Sequence, residues 1–572
     1  MIAFQLVVIA LGAIQAWNVR HAFDSDGISY LDIGDAYLRG DWAAAINAYW
    51  SPLYSWLLGL AMLVLKPSAY WEFSVVHLVN FVIYLVALSC FNVFLLELIR
   101  YNRHVAVASS GNGRVSLPVL AWLGLGYSLF LLSSLEMITL KAVSPDMMVA
   151  GLVYLASSIL LRIYMGSTRW VIFVLLGVVL GVSYLTKAAM FPLAFIFLGA
   201  SMFSVGNLRH AIPRVLVALV VFVMIACPFI AALSHVKGRL TVGDTGKLNY
   251  AWWVNGVPTY IHWQGEPPGS GTPKHPTRKI FDAPAVYEFG TPIRGTYPPW
   301  YDPSYWHEGI VVHFDLKQQL RRLASSAMIY ADLIIRFPSS GLIICFLLFC
   351  IMGTRLREYA INLAENWIFV GPAVAALIMY SLVHIAWRLV GPFVVLLLAG
   401  VASGVRVADS DETKKLLGRA STAMLIIIIL SFGISTVQSV TRASVLIGKD
   451  MQDHLQWQVA EGLKNIGIRP GHKVAFIGDS YYAYWARLAR VQIIAEIPHR
   501  SMDKFLSADR TVKSQVFNAL ATTGAKVVLT NETAIYASTS GWQQIGDTDH
   551  YVYVLTSVEG KALRDPAEHY RS

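Results

Sequence analysis

Apolar residues run through this chain in long, nearly uninterrupted blocks. They cover 2–18, 71–99, 116–134, 145–162, 170–186, 190–207, 214–234, 337–353, 366–384, 389–405 and 420–440. A helix needs about 20 apolar residues to cross the hydrocarbon core, so the pattern predicts about eleven transmembrane helices. One further block, 51–66, runs from Ser51-Pro52-Leu53-Tyr54 to Leu65-Lys66. Whether it crosses is decided by charge.

Basic residues collect between the blocks. Arg100, Arg103 and Arg114 share one stretch, Arg162 and Arg169 another, and Arg209 and Arg214 a third. Arg355 and Arg357 follow, then Arg406, Lys414, Lys415 and Arg419. With a cytoplasmic N-terminus all of these stretches face the cytoplasm, as the positive-inside rule expects. If 51–66 also crossed, the 100–114 stretch and every later one would be inverted. That block is therefore expected to lie along the outer interface, with Trp50, Tyr54 and Trp56 at headgroup level.

Composition agrees with a bilayer setting. The 572 residues are 56% hydrophobic and only 14% charged, against roughly 25% charged in soluble domains. The formal net charge of +10 is a topology signal, since no basic stripe is laid out to read nucleic acid. The first block lacks a basic leading region and a small-x-small cleavage site before Asp24, so a retained anchor is expected rather than a removed signal. Cys90, Cys227, Cys345 and Cys350 lie inside apolar blocks without metal-ligand spacing.

Three parts follow. A membrane body occupies 1–440, with interfacial helices at 24–66. A large outer loop at 235–335 is rich in Trp, Tyr, Pro and Gly, as in Tyr250-Ala251-Trp252-Trp253 and Tyr297-Pro298-Pro299-Trp300-Tyr301. Its length suggests a lid or binding role, and its aromatic faces suit sugar rings or headgroups. The segment 445–572 reads as a small outer α/β domain. Strands are expected at 473–477, 491–497, 526–530 and 551–555, and helices at 481–490 and 512–523. No internal repeat is present, which weakens a transporter reading.

Candidate chemistry begins just beyond the first block, at Phe23-Asp24-Ser25-Asp26-Gly27-Ile28-Ser29-Tyr30. Two carboxylates at this spacing can hold a divalent metal such as Mg or Mn. Alternatively, one acts as general base while the other tunes it. A solvated acidic loop would look the same. Asp146, after Ser144-Pro145, opens a helix, where an acid also suits the macrodipole. Lys187 closes Gly181-Val182-Ser183-Tyr184-Leu185-Thr186-Lys187, where a snorkelling lysine is equally at home. Arg388 lies in Trp387-Arg388-Leu389-Val390-Gly391-Pro392-Phe393. Glu136 and Lys141 are close enough in sequence to pair with each other.

Tyr30 follows Asp26 by four residues, and the pattern continues through Asp32, Asp35, Gly40-Asp41-Trp42 and Ser51-Pro52-Leu53-Tyr54. This stretch resembles the first outer loop of the GT-C fold glycosyltransferases that use polyprenyl-phosphate sugars. The protein O-mannosyltransferases and lipid A aminoarabinose transferases are in that group. Gly27 stands where a Glu is usual there, and Ser29 where the aminoarabinose enzymes carry an Arg. The Thr186-Lys187 and Arg388 segments resemble later motifs of the same group, in the same order.

The resemblance implies a polytopic α-helical membrane enzyme of GT-C type with a C-terminal periplasmic α/β domain. It would transfer a sugar from polyprenyl phosphate to a hydroxyl of a glycan, lipid or protein, with inversion and no obligatory cofactor. Asp26 would be the essential base, assisted by Asp24 or Asp146. Lys187 and Arg388 would hold the phosphate. Tyr30, Tyr54, Trp252, Trp253, Trp300 and Tyr301 are candidate substrate contacts. The competing readings are a flippase for lipid-linked glycans and a non-catalytic scaffold.

Two other patterns are weaker. His307-Glu308 with His313 lacks the zinc-binding spacing of HExxH. Ile477-Gly478-Asp479-Ser480, with Asp547-Thr548-Asp549-His550 near the end, has the outline of a serine hydrolase but is compatible with an ordinary strand-to-helix turn.

Overall fold

A computed structural model describes residues 1–108, 114–259, 262–289, 291–352, 354, 356–445, 449–533 and 541–555. Arg355 and the last part of the 445–572 segment, 556–572, lie outside the described residues. Each of the eleven apolar blocks falls on a helix. Among the described residues, five helices are long and apolar enough to cross a membrane: Ala69–Val105, Val119–Ile138, Asp146–Tyr164, Leu208–Lys237 and Asp411–Ile434. The number rises to seven if each of two bent pairs is one span, with breaks of 90° after Arg336 and 81° after Glu365. The blocks at 2–18, 170–186, 190–207 and 389–405 form shorter helices, Ile2–Asn18, Trp170–Thr186, Met190–Ser204 and Trp387–Ser403.

The block at 51–66 is the Pro52–Leu65 helix of 14 residues, about 21 Å long at the usual rise and short of the roughly 30 Å core. Pro52 opens it, where its fixed φ suits a first turn and its missing N–H costs nothing. It crosses the Ser25–Leu38 helix at glycines: a Cβ on Gly34 would stand 2.9 Å from the Ser55 carbonyl. The contact pulls aromatics inward and corrects the expected interfacial anchoring. Tyr54 is fully buried and bonds Asn80 at 2.6 Å, and Trp50 is buried too. Only Trp56 of that trio is exposed.

The helix ends separate two kinds of charge. In the Asp146–Tyr164 helix, Asp146 begins the first turn and Arg162 lies in the last. Arg162 and Arg100 both bond Glu97 at 2.8 Å. The basic end and the Asp146 end are thus about 24 Å apart along one helix axis.

The C-terminal segment forms strands where alternation and β-branched residues predict them: Lys473–Gly478, Gln492–Pro498, Val527–Thr530 and Tyr551–Val554. Trp542–Gln544 adds a strand that the short polar stretch around it did not announce. Sequence reasoning separates the outer loop from this segment; the sheet joins them. Arg278–Phe281 and Val286–Glu288, both from the loop, continue it in the order 278–281, 286–288, 492–498, 473–478, 527–530, 551–554, 542–544. Tyr287 pairs with Glu496 and Glu288 with Ala495, antiparallel. The three central strands from the C-terminal segment are parallel.

This sheet is locked to the membrane body by one buried cation. Arg487, 2% exposed, reaches Glu72 through Nε at 3.0 Å and Nη2 at 2.8 Å. Its Nη1 lies 2.5 Å from Asp32 and 3.0 Å from Asp35. Tyr484 donates to Glu72 at 3.0 Å, and Arg490 reaches Asp35 at 2.8 Å. Asp32 and Asp35 belong to the Ser25–Leu38 helix, which begins beside Asp26.

Candidate active site

Asp24 caps the Ser25–Leu38 helix. Its Oδ1 accepts the Gly27 N–H at 2.7 Å and its Oδ2 the Val143 N–H at 3.0 Å. An N-cap carboxylate meets one of the orphan donors of a helix start; here the second oxygen ties that start to the turn before Asp146. The approach is close enough to explain Gly27, since a Cβ there would lie 2.8 Å from Val143 Cγ1. Gln15 fixes the same turn from the first helix, donating to the Leu135 carbonyl at 2.9 Å and accepting the Leu140 N–H at 2.8 Å.

With both termini held, Asp26 and Asp146 face a common space. Arg388, in the first turn of the Trp387–Ser403 helix, donates from Nη2 to Asp26 Oδ2 at 3.0 Å and lies 3.5 Å from Asp146 Oδ2 through Nε. Lys187, just past the Trp170–Thr186 helix, is ion-paired to the other oxygen of Asp146. Ser144 also donates to Asp146, at 2.9 Å. Asp146 is sealed in, with its side chain 2% exposed, whereas Lys187 is 21% and Arg388 35% exposed. The cluster therefore shows cations to solvent and keeps their shared counterion behind them. Chemically, such an arrangement can receive an anion.

The structure thus brings Asp24, Asp26, Asp146, Lys187 and Arg388 together from four separate helices. Burial first, and then the neighbouring Asp26 charge, push the Asp24 carboxyl up to about 7, against the pull of the two N–H groups and Arg388. Among the described residues, no group of three or more His, Cys, Asp or Glu is placed to hold a metal ion. Asp24 and Asp26 fit a divalent cation poorly: the first spends both oxygens on backbone N–H groups, and the second holds Arg388.

The aromatic candidates divide. Trp300 touches the site, its indole N–H donating to Asp26 Oδ1 at 3.3 Å. Its carbonyl accepts from Ser29 Oγ and Trp50 Nε1, each at 3.2 Å. Ser29 thus anchors the aromatic loop. Tyr30 is buried with its ring edge against Trp50 and Tyr54 at 5.0 Å. Tyr301 is structural, bonding the Ala44 carbonyl at 2.7 Å. Trp252 lies 6.5 Å from Trp300, ring to ring, while Trp253 is exposed and stacks on His384 at 4.2 Å. Glu136 accepts from Ser339 rather than pairing with Lys141.

Sequence reasoning missed Ser144, Glu72 and Arg487. Ser144 sits in the quoted Ser-Pro-Asp motif and was readable as a local cap. Glu72 and Arg487, 415 residues apart, carry no local signal that joins them. The serine-hydrolase outline does not assemble: Ser480 Oγ is buried without a hydrogen-bond partner, and His550 bonds its neighbour Asp549 at 2.7 Å.

No family model matches the chain, and no curated protein matches it. Solved structures do. ArnT from Cupriavidus metallidurans, bound to undecaprenyl phosphate, is 14% identical over 96% of this chain and 97% of its own, with a TM-score of 0.41. The oligosaccharyltransferase of Archaeoglobus fulgidus in its apo form is 12% identical over 94% of this chain and 71% of its own, with a TM-score of 0.48.

Proposed function

We propose that the chain is a polytopic glycosyltransferase that takes a sugar from a polyprenyl-phosphate donor on the outer face of the cytoplasmic membrane. The observation that carries this reading is the single cluster in which an acid, Asp26, adjoins two solvent-facing cations backed by a buried carboxylate. The ordered motifs of the membrane body support it, as does the basic charge at the opposite helix ends. In this reading the body spans 1–440 with eleven crossings, four of them short. The 445–572 segment then lies outside, in the periplasm of a Gram-negative cell. A cluster at helix ends, rather than at mid-membrane, favours an enzyme over a flippase.

The reaction follows from the placement of charge. The oxygen of an acceptor hydroxyl attacks the anomeric carbon while Asp26 takes its proton. The bond to the phosphate oxygen breaks on the opposite side, its electron pair leaves with the phosphate, and Lys187 and Arg388 meet the added charge. One displacement inverts the anomeric centre. Arg388 holds Asp26 before substrate arrives; a phosphate that claims the guanidinium releases the carboxylate to act as a base. The same cations repel a divalent metal, so transfer is expected to proceed unchanged after chelation by EDTA.

Donor binding tests the reading. Lys187→Gln and Arg388→Gln should each weaken binding of undecaprenyl phosphate in nanodiscs about ten-fold or more, the scale of one lost charge-assisted hydrogen bond. Binding of uncharged undecaprenol should not change. Equal affinity of both variants and wild type for the phosphate would remove the cluster from donor recognition.

A pH profile gives a second check. An acid titrating near 7 is neutral below that pH and charged above it. Ionised Asp24 places a negative charge beside the reacting cluster, which favours drawing the proton from the acceptor hydroxyl. The transfer rate should therefore rise as pH passes through 7, and Asp24→Asn should flatten that limb at its lower level.

A further inference from the structure

The outer loop ends in a helix, Leu316–Ala331, with two unlike faces. One face is tied to the body. Gln319 donates to the Leu382 carbonyl at 2.9 Å, Ser326 to the Ser381 carbonyl at 2.9 Å, and Tyr330 to the Leu377 carbonyl at 3.1 Å. Arg322 joins them, its guanidinium 5.8 Å from the Trp253 ring. At 3.6 residues per turn these four side chains fall within an arc of about 80°.

The opposite face is exposed. Leu316, Leu320, Ala324, Ala327, Met328 and Ala331 recur along it at helical spacing. Leu316, Leu320 and Met328 are 62%, 56% and 67% exposed. Lys317 and Arg321, one turn apart, border this apolar stripe and are exposed as well. The helix contains no acid. Asp315, just before it, is spent as the N-cap and accepts the Gln318 N–H at 3.0 Å.

Orientation says what such a face meets. Leu316–Arg336 and Pro338–Met352 are bent by 90° from one another, and the second is the apolar block expected to cross the bilayer. A helix at right angles to a crossing runs in the plane of the membrane. Its bonds set the depth: Leu377, Ser381 and Leu382 lie in the final turns of the Trp367–Val383 helix. From that end the chain turns back to Arg388 and the charged cluster. An apolar stripe edged by cations, at that level, matches acyl chains beneath phosphate headgroups. Long basic side chains beside such a stripe keep their stems on the apolar layer and their charges in the headgroups.

We infer that Leu316–Ala331 is an interfacial helix that docks on the outer leaflet and prefers anionic phospholipid. Leu316, Leu320 and Met328 sink among the upper acyl chains, while Lys317 and Arg321 meet lipid phosphates. The inference uses the membrane placement of the body and nothing of its chemistry, so it stands or falls apart from the glycosyltransferase reading.

The test is photolabelling of the full chain in nanodiscs. The probes are phosphatidylglycerol and phosphatidylcholine carrying the same diazirine on an acyl chain, and adducts are mapped on peptic peptides by mass spectrometry. Adducts should fall on 316–331, several-fold more from phosphatidylglycerol. The double variant Lys317→Gln, Arg321→Gln should bring that yield down to the phosphatidylcholine level and leave labelling of 338–352 unchanged. Both side chains are exposed, so the packed face is kept, and an unaltered Tm of the variant checks this. Adducts on 338–352 with none on 316–331, as a face covered by a second copy of the chain would give, overturn the docking. Equal yields from the two lipids in wild type overturn the anionic preference.

Discussion

On the proposed mechanism Asp26→Asn should lower sugar transfer by about 10²–10⁴-fold, the range that a positioned general base contributes, while the protein should still accumulate in the membrane and bind its donor. The amide keeps the shape of the carboxylate and can still accept the Trp300 N–H. It cannot take the acceptor's proton. It also gives up the ion pair with Arg388, so the guanidinium is freer to meet phosphate. Donor affinity should stay level or rise as activity falls. That opposite movement separates lost catalysis from a damaged site, in which both would fall together. Transfer assayed on membranes, beside binding of undecaprenyl phosphate to purified protein, measures the two. A variant that transfers sugar at the wild-type rate would leave Asp26 without a role in the reaction.

The second large effect is expected far from that carboxylate. Arg487→Met leaves Asp32, Asp35 and Glu72 facing each other with only the half-exposed Arg490 nearby. Breaking one partner out of a buried ion pair costs about 3–5 kcal/mol, because the remaining charges stay buried and uncompensated. Burial already opposes ionisation of Asp32 and pushes its carboxyl up, with Arg487 as the chief opposing influence. Without the guanidinium that acid should hold its proton at neutral pH. The C-terminal sheet then loosens from the Ser25–Leu38 helix, and the helix start beside Asp26 loses its support. Limited proteolysis should cut near the 445–472 segment sooner than in wild type. Resistance equal to wild type would show that Arg487 does not hold the two parts together.

How far the sequence foretells this molecule depends on the distance over which its signals act. Apolar blocks act locally, so each of the eleven falls on a helix, of which five to seven among the described residues are long enough to cross a membrane. The helix expected at 481–490 is reduced to the short turns Ser480–Tyr482 and Tyr484–Leu488. β-branched runs such as Lys473-Val474-Ala475-Phe476-Ile477 likewise fix their strands. Asp26, Asp146, Lys187 and Arg388 were legible because each sits in a short motif at a helix end. Their meeting follows from the stacking of those ends, which no single motif encodes. Tyr54 and Trp50 were misplaced at the interface because the glycine crossing at Gly34, which draws them inward, is invisible to hydropathy. The two loop strands were missed for a similar reason: both are very short, Val286–Glu288 becomes a strand by pairing with Gln492–Pro498 about 200 residues away, and Arg278–Phe281 adds to it in turn.

What stands or falls last is the meaning of the paired cations. A cryo-electron-microscopy structure of the full chain with undecaprenyl phosphate bound would place the phosphorus directly. The expected density puts phosphate oxygens within hydrogen-bonding reach of both Lys187 Nζ and the Arg388 guanidinium, with Asp26 released from its ion pair. A phosphate seated elsewhere, with Arg388 still on Asp26 and Lys187 still on Asp146, would contradict the account.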